Sequence, residues 1–217
     1  MKYVIFDFNG TLVDDIDLCI TSLNILVKKY LNRDTVTRKE YKDVFGFPVI
    51  DYYKRVGFDF EKLDWYVVGR EFQDYYKAHI DETKLFDGVI EVLKSNWEKG
   101  LRNIVLSASR TDMLIEHLKK LDIYEYFDEI LGITDIYADS KIHIARDFIR
   151  DKNPDDYIYI GDSEHDYEVA EAMGVKCILT SAGHVSRERL EKCGVKVIDD
   201  IKEFEQCVWD SHRIHIS

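Results

Sequence analysis

The sequence predicts an α/β protein in which an open parallel sheet carries an inserted helical segment. Three observations point there. Short apolar runs rich in β-formers recur without polar alternation, as in strands covered on both faces. Helix-length stretches separate most of them, the rhythm of an open α/β sheet. After the first run a long all-helical stretch interrupts that rhythm.

Taken in order, Tyr3-Val-Ile-Phe6 is the first strand. From about Asp14 to Thr83 the pattern is helical, over Asp17 to Leu31, Arg38 to Phe45, Val49 to Arg55 and Glu61 to Ile80. Leu18, Leu23, Leu26, Val27 and Tyr30 keep helical spacing. Residues 14–83 are therefore expected to form a helical cap domain, with 1–13 and 84–217 as the α/β core. In the core, Phe86 to Lys99 reads as a helix stopped at Gly100. Asn103 to Leu106 is a strand, Thr111 to Leu121 a helix, and Tyr157 to Ile160, Val175 to Leu179 and Val195 to Ile198 are further strands. Trp209 to Ser217 reads as a short tail or final strand, and its His212 and His215 as tail histidines rather than metal ligands.

Composition narrows the function. The 46 % hydrophobic content with only 2 Pro excludes a disordered or collagen-like chain. A net charge of −12 repels phosphate backbones and anionic lipid, which argues against nucleic acid and membrane surfaces as partners. An anionic substrate then needs a metal or a local lysine to offset that field. Cys19, Cys177, Cys193 and Cys207 form no C-x-x-C pair, and no signal peptide or membrane span is evident. A cytoplasmic location is expected.

Four segments can carry chemistry. Asp7-Phe-Asn-Gly-Thr11 follows the first strand, so Asp7 stands where open α/β sheets bind ligands, and Gly10 allows close backbone approach. Asn-Gly is also an ordinary turn dipeptide. Ser107 follows the strand ending at Leu106, with Ala108 and Ser109 next; Ser109 can equally cap the following helix. Lys141 opens a helical segment and by itself reads as surface. Gly161-Asp-Ser-Glu-His-Asp166 runs from a strand into a helix. Asp162 and Asp166 can face one site there, and oxygen ligands without cysteine suit Mg2+. Alternatively, Asp162 or Ser163 simply caps the helix.

Asp7, Ser107, Lys141 and the Gly161/Asp162/Asp166 group, in that order, resemble the haloacid dehalogenase (HAD) superfamily. Phe86-Asp-Gly-Val89, Ala170-x-Ala172-x-Gly174 and Gly183-His184 look like its phosphoglycolate-phosphatase-like members. The resemblance implies a Rossmann-like core with a helical cap, and Mg2+-dependent hydrolysis of a small phosphorylated metabolite through an aspartyl-phosphate. It implies Asp7 as nucleophile, and Asp7, Asp162, Asp166 and the Asn9 carbonyl around Mg2+. Ser107, Ala108, Gly10 and Lys141 would bind the phosphate, Lys141 offsetting the crowded charge, and Thr11 would steady the loop.

Asn9 departs from the family pattern, whose phosphatases carry there a second Asp that shuttles a proton. A carboxamide cannot do so at neutral pH. General acid–base catalysis contributes about 10²–10⁴-fold, so slow turnover is expected, or a non-catalytic phosphate- or metabolite-binding protein. Glu164 and His165 are candidate substitutes. Dehalogenases carry a Tyr at this position, and phosphonatases need a cap lysine, for which only Lys54 is near; both branches fit less well. The aromatic cap is expected to decide the substrate.

Overall fold

A computed structural model describes residues 1–133 and 141–207. The tail histidines lie outside them. The main sheet has six strands, all parallel: β1 (Tyr3–Phe6), β4 (Arg102–Arg110), β5 (Glu129–Ile133), β6 (Tyr157–Gly161), β7 (Lys176–Thr180) and β8 (Lys196–Ile198), in the order β5-β4-β1-β6-β7-β8. The strand pattern is explained by burial. In β1, Val4 and Phe6 pack into one apolar cluster and Ile5 into the cluster on the opposite face.

Helices cover both faces. Val89, Val92 and Leu93 of α5 (Val89–Glu98) and Leu114 and Leu118 of α6 (Thr111–Lys120) join Val4 and Phe6. Ala145, Phe148 and Ile149 of α7 (Ile142–Ile149) and Val169, Ala170 and Met173 of α8 (Glu164–Met173) join Ile5. A short helix, α9 (Arg187–Leu190), follows β7.

Two differences from the sequence-based expectation arise in the sheet. Strand β5 was not foreseen, since Glu129-Ile-Leu-Gly-Ile133 is short and carries an acid and a glycine. Strand β4 runs past Leu106 to Arg110, with a register shift between those residues, so Ser107 lies at an irregularity inside the strand rather than after it.

Between β1 and β4 the chain forms α1 (Ile16–Leu26, continuing as a π-helical turn Val27–Leu31), α2 (Arg38–Val44), α3 (Val49–Val56) and α4 (Trp65–His79). These helices bury their own cluster, which includes Leu23, Tyr41, Tyr52, Tyr53 and Val68. Two chain crossings link them to the sheet region, β2 (Val13–Asp14) and β3 (Lys84–Leu85), which pair antiparallel.

Candidate active site

Strand β1 lies between β4 and β6, so the strand order turns there, the position where open α/β sheets leave a ligand crevice at their carboxyl ends. Asp7 follows β1 directly, and its N–H donates to the Ile160 carbonyl of β6 at 2.9 Å. Phe6 is level with Val105 and Ile160, which sets both Ser107 and Asp162 one residue past the level of Asp7. The Phe8 carbonyl accepts from the N–H groups of Leu12 and Val13, folding the loop back on itself. Gly10 has φ +76°, and a Cβ there would collide with the Asp162 carboxylate and the His184 ring, so the loop closes against both.

The structure brings Asp7, Lys141, Asp162 and Asp166 together, each nearly inaccessible to solvent. The Lys141 ammonium donates to Asp7 Oδ1 and, at 2.6 Å, to Asp166 Oδ1. Asp166 is heavily engaged. Tyr159 Oη also donates to its Oδ1, while its Oδ2 accepts from the Asp162 N–H, the Ser163 N–H and the Ser163 hydroxyl. Ser163 is the N-cap of α8 and closes a capping box with Asp166, so the capping alternative is realised at Ser163. Asp162 Oδ2 accepts the His184 N–H at 2.6 Å.

Ser107 is buried and its Oγ accepts the Ser109 N–H at 3.1 Å, while Ala108 is exposed. Arg110, not Ser109, stands at the N-cap position of α6, and its side chain makes no capping bond. Thr11 makes no side-chain hydrogen bond among the described residues, so the loop is held by its backbone instead.

Burial dominates the electrostatics. It pushes the Asp7 carboxyl up to about 8, opposed by Lys141 and reinforced by Asp166 and Asp162. It likewise pushes Asp162 up to about 6. Asp166 is held low despite burial, because Lys141 and Ser163 favour its charged form. Three buried carboxylates therefore face one ammonium. Asp7, Asp162 and Asp166 present ligand oxygens within 4.8 Å of one another, with no sulfur or nitrogen among them. That excess negative charge and all-oxygen donor set fit a hard divalent cation such as Mg2+.

Asn9 is pinned. Its Nδ2 donates to Asp15 Oδ2 at 3.0 Å and to Tyr76 Oη at 2.8 Å. Tyr76 in turn donates to Asp15 Oδ2 at 2.8 Å, and His184 Nε2 lies 3.1 Å from Asp15 Oδ1. Neither candidate substitute is poised as one: Glu164 pairs with Arg189, and His165 with Glu168. His165 is buried against Phe47 at 4.8 Å between ring centroids rather than exposed. Lys54 pairs with Asp51 at the surface.

Asp15 escaped the sequence reading because it belongs to no motif, and His184 because it entered only as part of a Gly-His resemblance. They are 169 residues apart in sequence, and no local pattern joins them.

Known proteins show the same architecture. The chain is 26% identical over 178 residues to a pyrophosphatase PpaX of Halalkalibacterium halodurans, covering 80% of each. It is 25% identical over 213 residues to a phosphoglycolate phosphatase of Pseudomonas fluorescens, covering 93% of this chain and 78% of that one. The crystal structure of a predicted phosphatase from Clostridium acetobutylicum superposes with a TM-score of 0.81 at 25% identity, covering 96% of this chain and 98% of the other. Residues 4–180 match the family described as haloacid dehalogenase-like hydrolase. With its six-stranded parallel sheet and the acid cluster at that sheet's carboxyl edge, the chain belongs to the haloacid dehalogenase-like hydrolases.

Proposed function

We propose that this hydrolase is a Mg2+-dependent phosphatase for a small phosphorylated molecule, working through an aspartyl-phosphate on Asp7. The observation that carries this reading is the arrangement of Asp7, buried at the end of β1, with Lys141 on one carboxylate oxygen and Asp162 facing the same site. The phosphatase and pyrophosphatase names of its relatives support a phosphorylated substrate.

Lys141 holds Asp7 Oδ1, which leaves Oδ2 to attack phosphorus. The P–O bond to the leaving group breaks as the aspartyl-phosphate forms. Lys141, the Ser107 hydroxyl and the backbone N–H at Ala108 receive the phosphoryl oxygens; the Gly10 N–H, expected to join them, donates instead to the Val13 carbonyl at 2.8 Å. Mg2+, held by Asp7, Asp162 and the Asn9 carbonyl, supplies charge neutralisation between carboxylates and phosphate. Asp166 spends its oxygens holding Lys141 and the 161–163 turn, so we assign it a positioning role. Water then attacks phosphorus, the P–O bond to Asp7 breaks, Asp7 departs as carboxylate, and the protons of the attacking water leave on the inorganic phosphate.

Both Asn9 N–H protons are committed to Asp15 and Tyr76, so Asn9 delivers none to the leaving oxygen. Leaving groups that depart as stable anions, such as acyl phosphates, phosphoanhydrides and aryl phosphates, are then preferred over alkyl phosphates. The same pinning favours the second reading, a phosphate-binding protein that turns over poorly. The four cysteines form no disulfide with one another, and no helix among the described residues is long and apolar enough to cross a membrane. Those two facts support a cytoplasmic small-molecule role.

Hydrolysis of acetyl phosphate and p-nitrophenyl phosphate with Mg2+ tests the reading. Turnover that Asp7→Asn abolishes supports the phosphatase. Turnover only in Asn9→Asp supports the binding protein, and none in either sinks the phosphatase reading.

A further inference from the structure

Beyond the acid cluster, a second buried polar group lies in the seam between the helical insert and the loop after β7. Asp15, Tyr41, Tyr76 and His184 meet there with their polar atoms joined. Asp15 is the N-cap residue of α1, yet its side chain makes no capping bond; it points into the seam instead. Its Oδ1 faces His184 Nε2 at 3.1 Å, and its Oδ2 accepts from Asn9 Nδ2, Tyr76 Oη and, at 3.4 Å, Cys19 Sγ. The second ring nitrogen of His184 lies 2.9 Å from Tyr41 Oη. Asp15 and His184 are 2 % and 4 % exposed, so these are bonds made out of water.

The connectivity of this group matters more than its polarity. Tyr41 belongs to α2 and Tyr76 to α4, both in the helical insert. Asn9 lies in the nucleophile loop. His184 uses its ring for Asp15 and Tyr41, and its backbone N–H for Asp162. A Cβ on Gly183 would overlap the Asp162 carboxylate and the Gly10 carbonyl, so this loop is packed directly on the acid cluster. Asp15, Cys19 and His184 also present ligand atoms within 4.8 Å, a possible cation cluster by spacing. The Asp15 oxygens, however, already accept four donors, which is the pattern of a hydrogen-bond hub.

We propose that Asp15 and His184 are positioning residues that couple the seating of the helical cap to the catalytic loops. Asp15 and Tyr76, both on the cap side of the seam, hold the Asn9 amide, while Asp15 and the Tyr41 hydroxyl hold the ring of His184, whose N–H holds Asp162. When the cap lifts, Asn9 loses Asp15 and Tyr76, His184 loses Asp15 and Tyr41, and both loops lose the contacts that orient them. The loop carrying His184 leads into α9, whose Arg189 guanidinium bridges Glu164 and the carbonyls of Lys42, Asp43 and Phe45 at the end of α2. The segment after β7 thus grips α2 at two places, through Arg189 and through His184.

This inference rests on the phosphatase reading for its kinetic consequence but not for its structural one, and the test separates the two. The double variant Tyr41→Phe/Tyr76→Phe keeps both rings and removes only the hydroxyls. Tyr52→Phe is the control, because the Tyr52 hydroxyl is buried in the same helical cluster with no hydrogen-bond partner among the described residues.

Three hydrogen bonds are lost, Tyr41 to His184 and Tyr76 to Asp15 and Asn9, and at typical net strength they predict roughly a 10–2,000-fold loss of kcat/KM for acetyl phosphate in the double variant. They also predict weaker Mn2+ binding by electron paramagnetic resonance and faster amide exchange in segments 8–15 and 183–186. Tyr52→Phe should leave all three unchanged. A double variant that is less stable but keeps wild-type kcat/KM, Mn2+ affinity and exchange in those segments overturns the proposal. If the wild type hydrolyses nothing, the phosphatase reading falls, and Mn2+ affinity and amide exchange still decide the coupling.

Discussion

Asn9 and Asp15 have to be considered as a pair. The amide at position 9 donates to the carboxylate at position 15, so this site holds one carboxylate where Asn9→Asp would place two. Like charges in contact and out of water force one to keep a proton. The acid in Asn9→Asp would then have a folded pKa above its unfolded value, which destabilises the native state as pH rises. Asn9→Asp should lose about 1–3 kcal/mol at neutral pH, less in acid, in urea unfolding. The exchanged pair Asn9→Asp/Asp15→Asn restores a single carboxylate with an amide donor and should recover most of that loss. If the exchanged pair is no more stable than Asn9→Asp alone, the two side chains are not partners in solution.

The crossing between helical insert and core rests on short elements with few bonds of their own. Strands β2 and β3 pair only through Val13 with Leu85 and Asp14 with Lys84, and the Phe86 N–H adds a bond to the Leu12 carbonyl. His117 of α6 reinforces them from below. Its ring stands edge-on to Phe8 at 5.1 Å between centroids, and its Nε2 lies 3.1 Å from Thr83 Oγ1. Thr83 donates its hydroxyl proton to the Ile80 carbonyl, so it accepts the His117 N–H. Burial lowers the His117 pKa below its ordinary 6.5; Asp15, Asp81 and Glu116 oppose this, and Lys120 adds to it. Unfolded chains then take up a proton that folded chains resist. The stability contributed by neutral His117 is present above 6.5 and is lost as pH falls through the lower folded value. His117→Gln, which keeps an N–H donor but does not titrate, should flatten the decline in Tm between roughly pH 7 and pH 5. An unchanged slope would remove His117 as the source.

On the scale of the whole molecule, the acid cluster concentrates like charge that the proposed Mg2+ would offset. Three buried carboxylates share one lysine in a chain whose net charge is already −12. A cation that binds only the native state adds stability by mass action, about 2.7 kcal/mol at a hundred times its Kd. Saturating Mg2+ should therefore raise the Tm and EDTA should reverse the gain. Asp162→Asn should abolish the response while the sheet remains intact by circular dichroism. A Tm that ignores Mg2+ in the wild type would remove the metal from the mechanism.

The parallel sheet was legible in the sequence because several short unbroken apolar runs, Val4, Ile5 and Phe6 among them, alternate with helix-length stretches, the pattern of strands covered on both faces. The sequence by itself determined the helical insert after β1 through the spacing of Leu23, Leu26 and Val27. It also carried the order Asp7, Ser107, Lys141, Asp162, and the parallel topology gathers strand-end residues at one edge of the sheet. Strand β5 and the polar end of β4 were not legible, since edge position and an irregular register mask the periodicity on which strand recognition depends. The role of Asp166 was decided only in three dimensions, where five donors converge on its two oxygens. The same holds for Asp15 and His184. Hydrophobic periodicity is a local property of the chain, whereas the partner of a buried polar group is chosen by which loops packing brings together. The seating of α2 and α4 over the nucleophile loop made that choice here.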